Sequence, residues 1–167
     1  GIDTPPRARS PIQLLADTGI LALRPLLIHC VRVDGRDLTL IAESGAAVAH
    51  CPIANARLGH GVAPVLDMVE VGIPLGLGSD SVAANNRIDM LEEARVAQLM
   101  QRAQARSSGA LTPDALLRML TIDGARVLGL DAYTGSIEVG KDADLCAIGL
   151  TAPHTWPVND PVSSVTM

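Results

Sequence analysis

The sequence predicts an α/β protein with parallel strands, and three observations carry that prediction. Apolar runs at 25–31, 46–52 and 73–80 are short and continuous rather than alternating, as strands covered on both faces are. A helical pattern follows each run, giving a strand-then-helix rhythm. Each run also ends in a polar residue, His29, His50 or Asp80. In parallel α/β folds the C-terminal ends of the strands are where catalytic groups gather.

Residues 1–10 carry no periodicity and read as a loop, after which Pro11-Ile-Gln-Leu-Leu-Ala predicts a short helix ending near Gly19. The run Pro25–Val31 is followed by a helix with Leu38, Ile41 and Ala42 on one face, closed by Gly45. The run Ala46–Pro52 leads through a predicted loop at 53–63 to a helix with Val65, Met68 and Val69 on one face, closed by Gly72. The run Ile73–Asp80 leads through 81–87 to a long helix over about 88–106, whose later half places Val96, Leu99, Met100 and Ala103 on one stripe and whose first half is apolar on more than one side, as in a helix covered on both faces. Thr112-Pro113-Asp114 is a helix start, with an N-cap hydroxyl, a first-turn proline and an acid near the positive end of the dipole. Leu116, Met119 and Leu120 form that helix's apolar face, and a further short helix at about 123–128 ends at Gly129. From Gly135 to Ile148 the pattern changes to turns and short strands, a small β appendage, and Val162-Ser-Ser-Val reads as strand-like.

Composition narrows the function. With 167 residues, 48% hydrophobic and 19% charged, the chain is globular rather than disordered. One Trp, one Tyr and no Phe leave almost no stacking platform for bases, and 13 Lys and Arg against 18 Asp and Glu give a net charge of -5 without a basic run. Nucleic acid is therefore not expected as a partner. No apolar run approaches the roughly 18 residues of a membrane span. The three cysteines, Cys30, Cys51 and Cys146, are an odd number without a secretory leader, which points to a reducing, cytoplasmic setting. The chain opens on Gly1 and stops at Met167, so it also reads as a piece of something longer.

Each polar strand end admits a plain structural explanation beside the functional one. His29-Cys30 and His50-Cys51 suggest a zinc site of two Cys and two His, but adjacent strand residues point to opposite faces, so a His and its neighbouring Cys do not reach one metal. In a barrel the histidines would face the axis and the cysteines would pack under helices. Asp80 ends an apolar strand, where a carboxylate needs a cation or donors. It is either an anchor for the 81–87 turn or a metal ligand and proton acceptor. His29 is either a core histidine bonded to a carbonyl or a site residue, and for His50 the following Pro52 offers a turn as the reason for the local sequence. His60 and His154 read as solvated, and Glu92-Glu93 as a solvated helix face.

Taken together, His29-Cys-Val, His50-Cys-Pro-Ile-Ala-Asn55-Ala-Arg-Leu58, Gly61-Val-Ala-Pro-Val and Leu77-Gly-Ser-Asp80-Ser-Val-Ala-Ala-Asn-Asn86, followed by Asp89-Met-Leu-Glu-Glu, resemble the amidohydrolase superfamily. The resemblance is to its aminohydrolase branch, which includes S-adenosylhomocysteine deaminase, guanine deaminase and the s-triazine hydrolases. It extends from about residue 12 through Thr121–Leu130 and Gly135–Leu145. It implies that residues 1–130 are the C-terminal part of a (β/α)8 TIM barrel, strands six to eight, and that residues 131–167 are part of a small β-sandwich domain.

The same resemblance implies one divalent metal, zinc or alternatively iron, that generates the hydroxide attacking a ring carbon of a small N-heterocyclic substrate, with ammonia or another group leaving. Asp80 would ligate the metal and take the proton, and His29 would steady the attacking hydroxide or polarise the ring. His50, Asn55 and Ser81 would line the substrate pocket. Ala54 stands where the family commonly has Ser, and Ser79 where it has Thr. The family's His-x-His and its strand-five histidine and nearby glutamate have no counterpart, so the metal would be completed by ligands outside this chain, and the chain alone would be inactive. A barrel needs about 250 residues, and three strands leave two open edges. The leaving group is not fixed, so cyclic-amide or chloro-s-triazine hydrolysis remains an alternative, as does a non-catalytic half-barrel or partner subunit; self-association is equally open.

Overall fold

A computed structural model describes residues 9–153 and 155–166. His154, read from the sequence as solvated, and most of the N-terminal loop lie outside the described residues. Helix α1 (Pro11–Asp17) and a 3-10 turn (Leu21–Leu23) precede strand β1 (Leu26–Ile28) and helix α2 (Gly35–Ser44). Strand β2 (Ala47–His50) is followed by α3 (Pro52–Arg57) and α4 (Val65–Glu70), and strand β3 (Leu75–Leu77) by α5 (Val82–Asn85) and the long α6 (Met90–Ala105). Helices α7 (Pro113–Leu120), α8 (Ile122–Val127) and α9 (Pro161–Thr166) complete the described order.

The three strands form one parallel sheet in the order β1-β2-β3. Register aligns Leu27 with Val48 and Val48 with Leu75, so these side chains share one face. That face packs on Ile41, Val65, Met68, Ala94 and Ala97 from α2, α4 and α6. The opposite face carries Ile28, Ala49 and Gly76 in register. A Cβ at Gly76 would lie 2.8 Å from Val127 Cγ2 and 3.2 Å from the Gly124 Cα, so glycine lets α8 close on the sheet there. At the β1 edge this second face is open, with Ile28 50% exposed, and the predicted cover on both faces is only partly realised.

Local chemistry explains the helix starts. Ser10 caps α1 by accepting from Gln13 N at 3.1 Å, and its hydroxyl donates to the buried Asp37 side chain, tying α1 to α2. Asp34 and Asp37 form a reciprocal capping box on α2, and Gly45 at φ 72° ends it. Asp89 caps α6 through Glu92 N at 3.0 Å, and Thr112 caps α7 through Ala115 N at 3.3 Å.

Three expectations are corrected. The predicted loop 53–63 contains α3, started by Pro52 in the first turn, where its missing N–H costs nothing. Residues 162–165 are helical, not strand-like, because Asp160 accepts from both the N–H (2.8 Å) and the hydroxyl of Ser163, making a helix start that outweighs the β-branched residues. Among the described residues no strand forms between 131 and 166. Ile137, Val139 and Leu145 stand exposed without a neighbouring strand, and the backbone closes into turns instead, as in Asp142 N to Tyr133 O at 2.8 Å.

Candidate active site

His29, directly after β1, and Asp80, three residues after β3, are both held in the left-handed region, at φ 70° and φ 59°, with Cys30 beside the former at φ 45°. Such conformations cost a non-glycine residue energy and concentrate at functional sites. His29 N still donates to Ala49 O at 3.0 Å, so the ladder holds the backbone while the turn re-aims the side chain. The result brings His29 Nε2 to 3.7 Å from Asp80 Oδ2. Asp80 Oδ1 accepts from Ser81 N at 2.6 Å. One oxygen thus anchors the turn, as the structural reading has it, and the other faces an imidazole.

His29 does not behave as a core histidine bonded to a carbonyl, because its Nδ1 is buried with no hydrogen-bond partner among the described residues. His60 meets it edge to face, ring centroids 6.1 Å apart at 82°. The glycines on either side of His60 take positive φ, 68° at Gly59 and 106° at Gly61, and shape the loop that carries the ring there.

His50 is buried to 2% exposure, with neither ring nitrogen hydrogen-bonded among the described residues. Burial, and secondarily His29, pushes its pKa down to about 4, so it is neutral at ordinary pH. Alternation along β2 places it on the Val48 face, the one covered by helices, and not on the face of Ile28 and Ala49. The strand continues unbroken to position 50, which fixes that face. Asn55, in α3, is fully buried with both amide atoms unpartnered among the described residues. Ser81 is exposed, and its hydroxyl caps α5 by accepting from Ala83 N at 3.1 Å.

Cys51 borders this constellation beside the Asp80 backbone, while Cys30 lies farther out. Cys51 packs against Gly78, where a Cβ would come within 3.2 Å of its sulfur, and Cys30 packs at the edge of the core. Burial, helped by Asp37 at Cys30 and by Asp80 and Glu93 at Cys51, pushes both thiols up to about 11. Among the described residues no group of three or more His, Cys, Asp or Glu could hold a metal ion. A zinc site takes about three protein ligands. Asp80 fits as one oxygen donor, its Oδ2 being free of backbone bonds, but the set is incomplete within this chain. A cavity of about 430 Å³ lies elsewhere, between β3, α7 and α8, where Arg118 and Arg126 are paired with Asp123.

Glu93 corrects the reading of Glu92-Glu93 as a solvated pair. Glu92 does pair with Arg87 at the surface, but Glu93 is fully buried. Its Oε2 accepts from Ile53 N at 3.1 Å and its Oε1 from Asn85 Nδ2, while Asn85 Nδ2 also donates to Ser79 O at 3.0 Å. Burial raises the Glu93 pKa, opposed by these two donors. Glu93 is the neighbour of the site that pattern reading misses; His60 is exposed, as read from the sequence, while its ring also meets His29. A signal for Glu93 existed in its spacing from Ala94, Ala97 and Gln101, a close-packing stripe of small and amide side chains.

A 5-methylthioadenosine/S-adenosylhomocysteine deaminase of Halobacterium salinarum is 42% identical over 153 residues, which are 92% of this chain and 35% of that protein. The crystal structure of an adenosine deaminase from Xanthomonas campestris with bound zinc superposes with a TM-score of 0.90 at 35% identity, over 95% of this chain and 36% of that one. An atrazine chlorohydrolase of Arthrobacter aurescens complexed with zinc does so with a TM-score of 0.88 at 29% identity, over 95% and 35%. The chain thus spans about a third of the length of the curated relatives it matches. The amidohydrolase family profile matches residues 8–166. With a small parallel sheet delivering His29 and Asp80 to one end, the chain belongs to the amidohydrolase family.

Proposed function

We propose that this chain supplies the strand six to eight part of the active site of a metal-dependent hydrolase of C–N bonds, acting on an amino-substituted purine, nucleoside or similar N-heterocycle. The observation that carries the reading is the approach of His29 Nε2 to Asp80 Oδ2 at 3.7 Å, from positions just past two strand ends, both held in the left-handed region. In this reading residues 1–130 belong to a (β/α)8 barrel and 131–167 to a small β-sandwich, both completed by sequence outside this chain. The relatives named as deaminases support that choice of chemistry.

A divalent metal, zinc or alternatively iron, would be held by Asp80 together with ligands outside this chain, and when bound it supplies an acidified water. The groups of this chain do the rest. Asp80 takes the proton released as water attacks the ring carbon, an acid–base role for a carboxylate already oriented by Ser81 N. His29, part-exposed at the open end of the sheet, donates from Nε2 to the attacking oxygen or to the ring. Asn55, with both amide atoms unspent, hydrogen-bonds the heterocycle, and His50 remains a neutral wall behind it. Ser81 contributes the rim of the pocket.

The structural similarity to atrazine chlorohydrolase favours one second reading, departure of chloride rather than ammonia. The intact protein, loaded with zinc and assayed for ammonia with adenosine, 5-methylthioadenosine and S-adenosylhomocysteine, and for chloride with atrazine, decides between them. Ammonia from at least one nucleoside is the expected result. Chloride release alone moves the assignment to dehalogenation, and silence with every substrate overturns it.

A further inference from the structure

The geometry points to Glu93 as the positioning residue that locks the two loops of the proposed active site together, joining the start of α3 to the Asp80 turn through Asn85. This inference rests on the reading of Asp80 given above. Glu93 comes from α6, forty residues away from its partner Ile53, and is fully buried. Its carboxylate has two oxygens and uses each for a different element. Oε2 accepts from the N–H of Ile53, in the first turn of the helix that carries Asn55, and Oε1 accepts from Asn85 Nδ2. Asn85 spends its second amide hydrogen on the carbonyl of Ser79, the residue before Asp80, at 3.0 Å. Both ends of the Asp80 turn are thereby fixed, one by Ser81 N on Oδ1 and the other by Asn85.

A carboxylate is needed because both facing groups are donors. In Glu93→Gln the side chain keeps its shape but can offer only one acceptor, so an N–H is turned against either Ile53 or Asn85. Side chains that hold a reacting group through hydrogen bonds act on geometry more than on binding. A part of the fold that served only as scaffold would lower the unfolding temperature and leave turnover per folded molecule unchanged.

The test uses the intact protein, well below its unfolding temperature, with Glu93→Gln, Asn85→Ala and the double variant. Hydrogen–deuterium exchange of residues 78–86 should rise about tenfold in Glu93→Gln, the scale of one lost charge-assisted hydrogen bond, with the second half of α6 unchanged. In the nucleoside assay kcat should fall about tenfold while KM stays within about twofold, and the double variant should lose no more than the worse single one. Unchanged exchange at 78–86, unchanged kcat in an active enzyme, or additive losses would each overturn the proposal. Should Glu93→Gln not fold, Asn85→Ala alone must loosen 78–81 and lower kcat, or the proposal fails. A wild-type protein that releases no ammonia defeats the assigned function instead, and the exchange measurement then decides separately whether Glu93 holds the turn.

Discussion

At the scale of the residue, His50 is the group whose charge this fold does not accept. Its pKa is pushed down to about 4 by burial, against about 6.5 in an unfolded chain. Between those values the unfolded state binds the extra proton, so stability falls as pH drops from about 6.5 to about 4 and levels off below. The size of the effect is about 3 kcal/mol. Urea unfolding of the intact protein at pH 7 and at pH 4.5 should show this loss, and His50→Gln should remove that part of the pH dependence; an identical profile in the variant would show that His50 is not buried neutral. The thiols offer a second check. Cys30 and Cys51, with pKa values pushed up to about 11, should resist iodoacetamide at pH 7.5, while the exposed Cys146 is alkylated, as peptide mass spectrometry would read. His29 and Asp80 were legible in the sequence because a polar residue closing an apolar strand is a local signal. The approach of His60 to His29 was not, because that contact joins distant elements and leaves no mark in either segment alone, and the stripe that buries Glu93 does not name Ile53 as its partner.

At the scale of the element, α6 shows why hydrophobicity can name the wrong face of a helix. The apolar stripe of Val96, Leu99, Met100 and Ala103 suggested the buried side, yet Leu99 is 59% exposed. The buried side is Glu93, Ala94, Ala97, Gln98 and Gln101. Alanines let the helix approach the sheet closely, and the two glutamines replace hydration by donating to Leu111 O at 2.8 Å and Ala63 O at 2.9 Å. Gln101→Leu, which deprives Ala63 O of that donor, should cost about 1–3 kcal/mol in denaturant unfolding. Leu99→Gln on the outer stripe should change stability by less than about 0.5 kcal/mol. The opposite ranking would mean that α6 presents its apolar stripe to the core. Thr112, by contrast, placed the start of α7 correctly, since a cap acts through its nearest N–H groups, here that of Ala115.

At the scale of the whole molecule, three parallel strands have an unpaired edge on β1 and another on β3. The α/β class followed from the repeat of apolar run and helix. The tail did not follow, because a strand needs a partner to satisfy its backbone, and alternation at Ile137 and Val139 says nothing of where that partner is. The same incompleteness governs the metal. With one carboxylate facing one imidazole and no three-group cluster among the described residues, the purified 167-residue chain should carry no stoichiometric zinc by elemental analysis. One tightly held metal per chain would show that its ligand set is complete without other sequence.

The central claim is that Asp80 sits at the reacting centre, and Asp80→Asn in the intact, zinc-loaded protein tests it most directly. The substitution keeps the side chain's shape and its acceptor for Ser81 N while removing the basic oxygen that faces His29. Ammonia release from the best nucleoside should fall by about 10²–10⁴-fold with the circular dichroism spectrum unchanged. Turnover within tenfold of the wild type, at a folded and equally metal-loaded variant, would contradict the account.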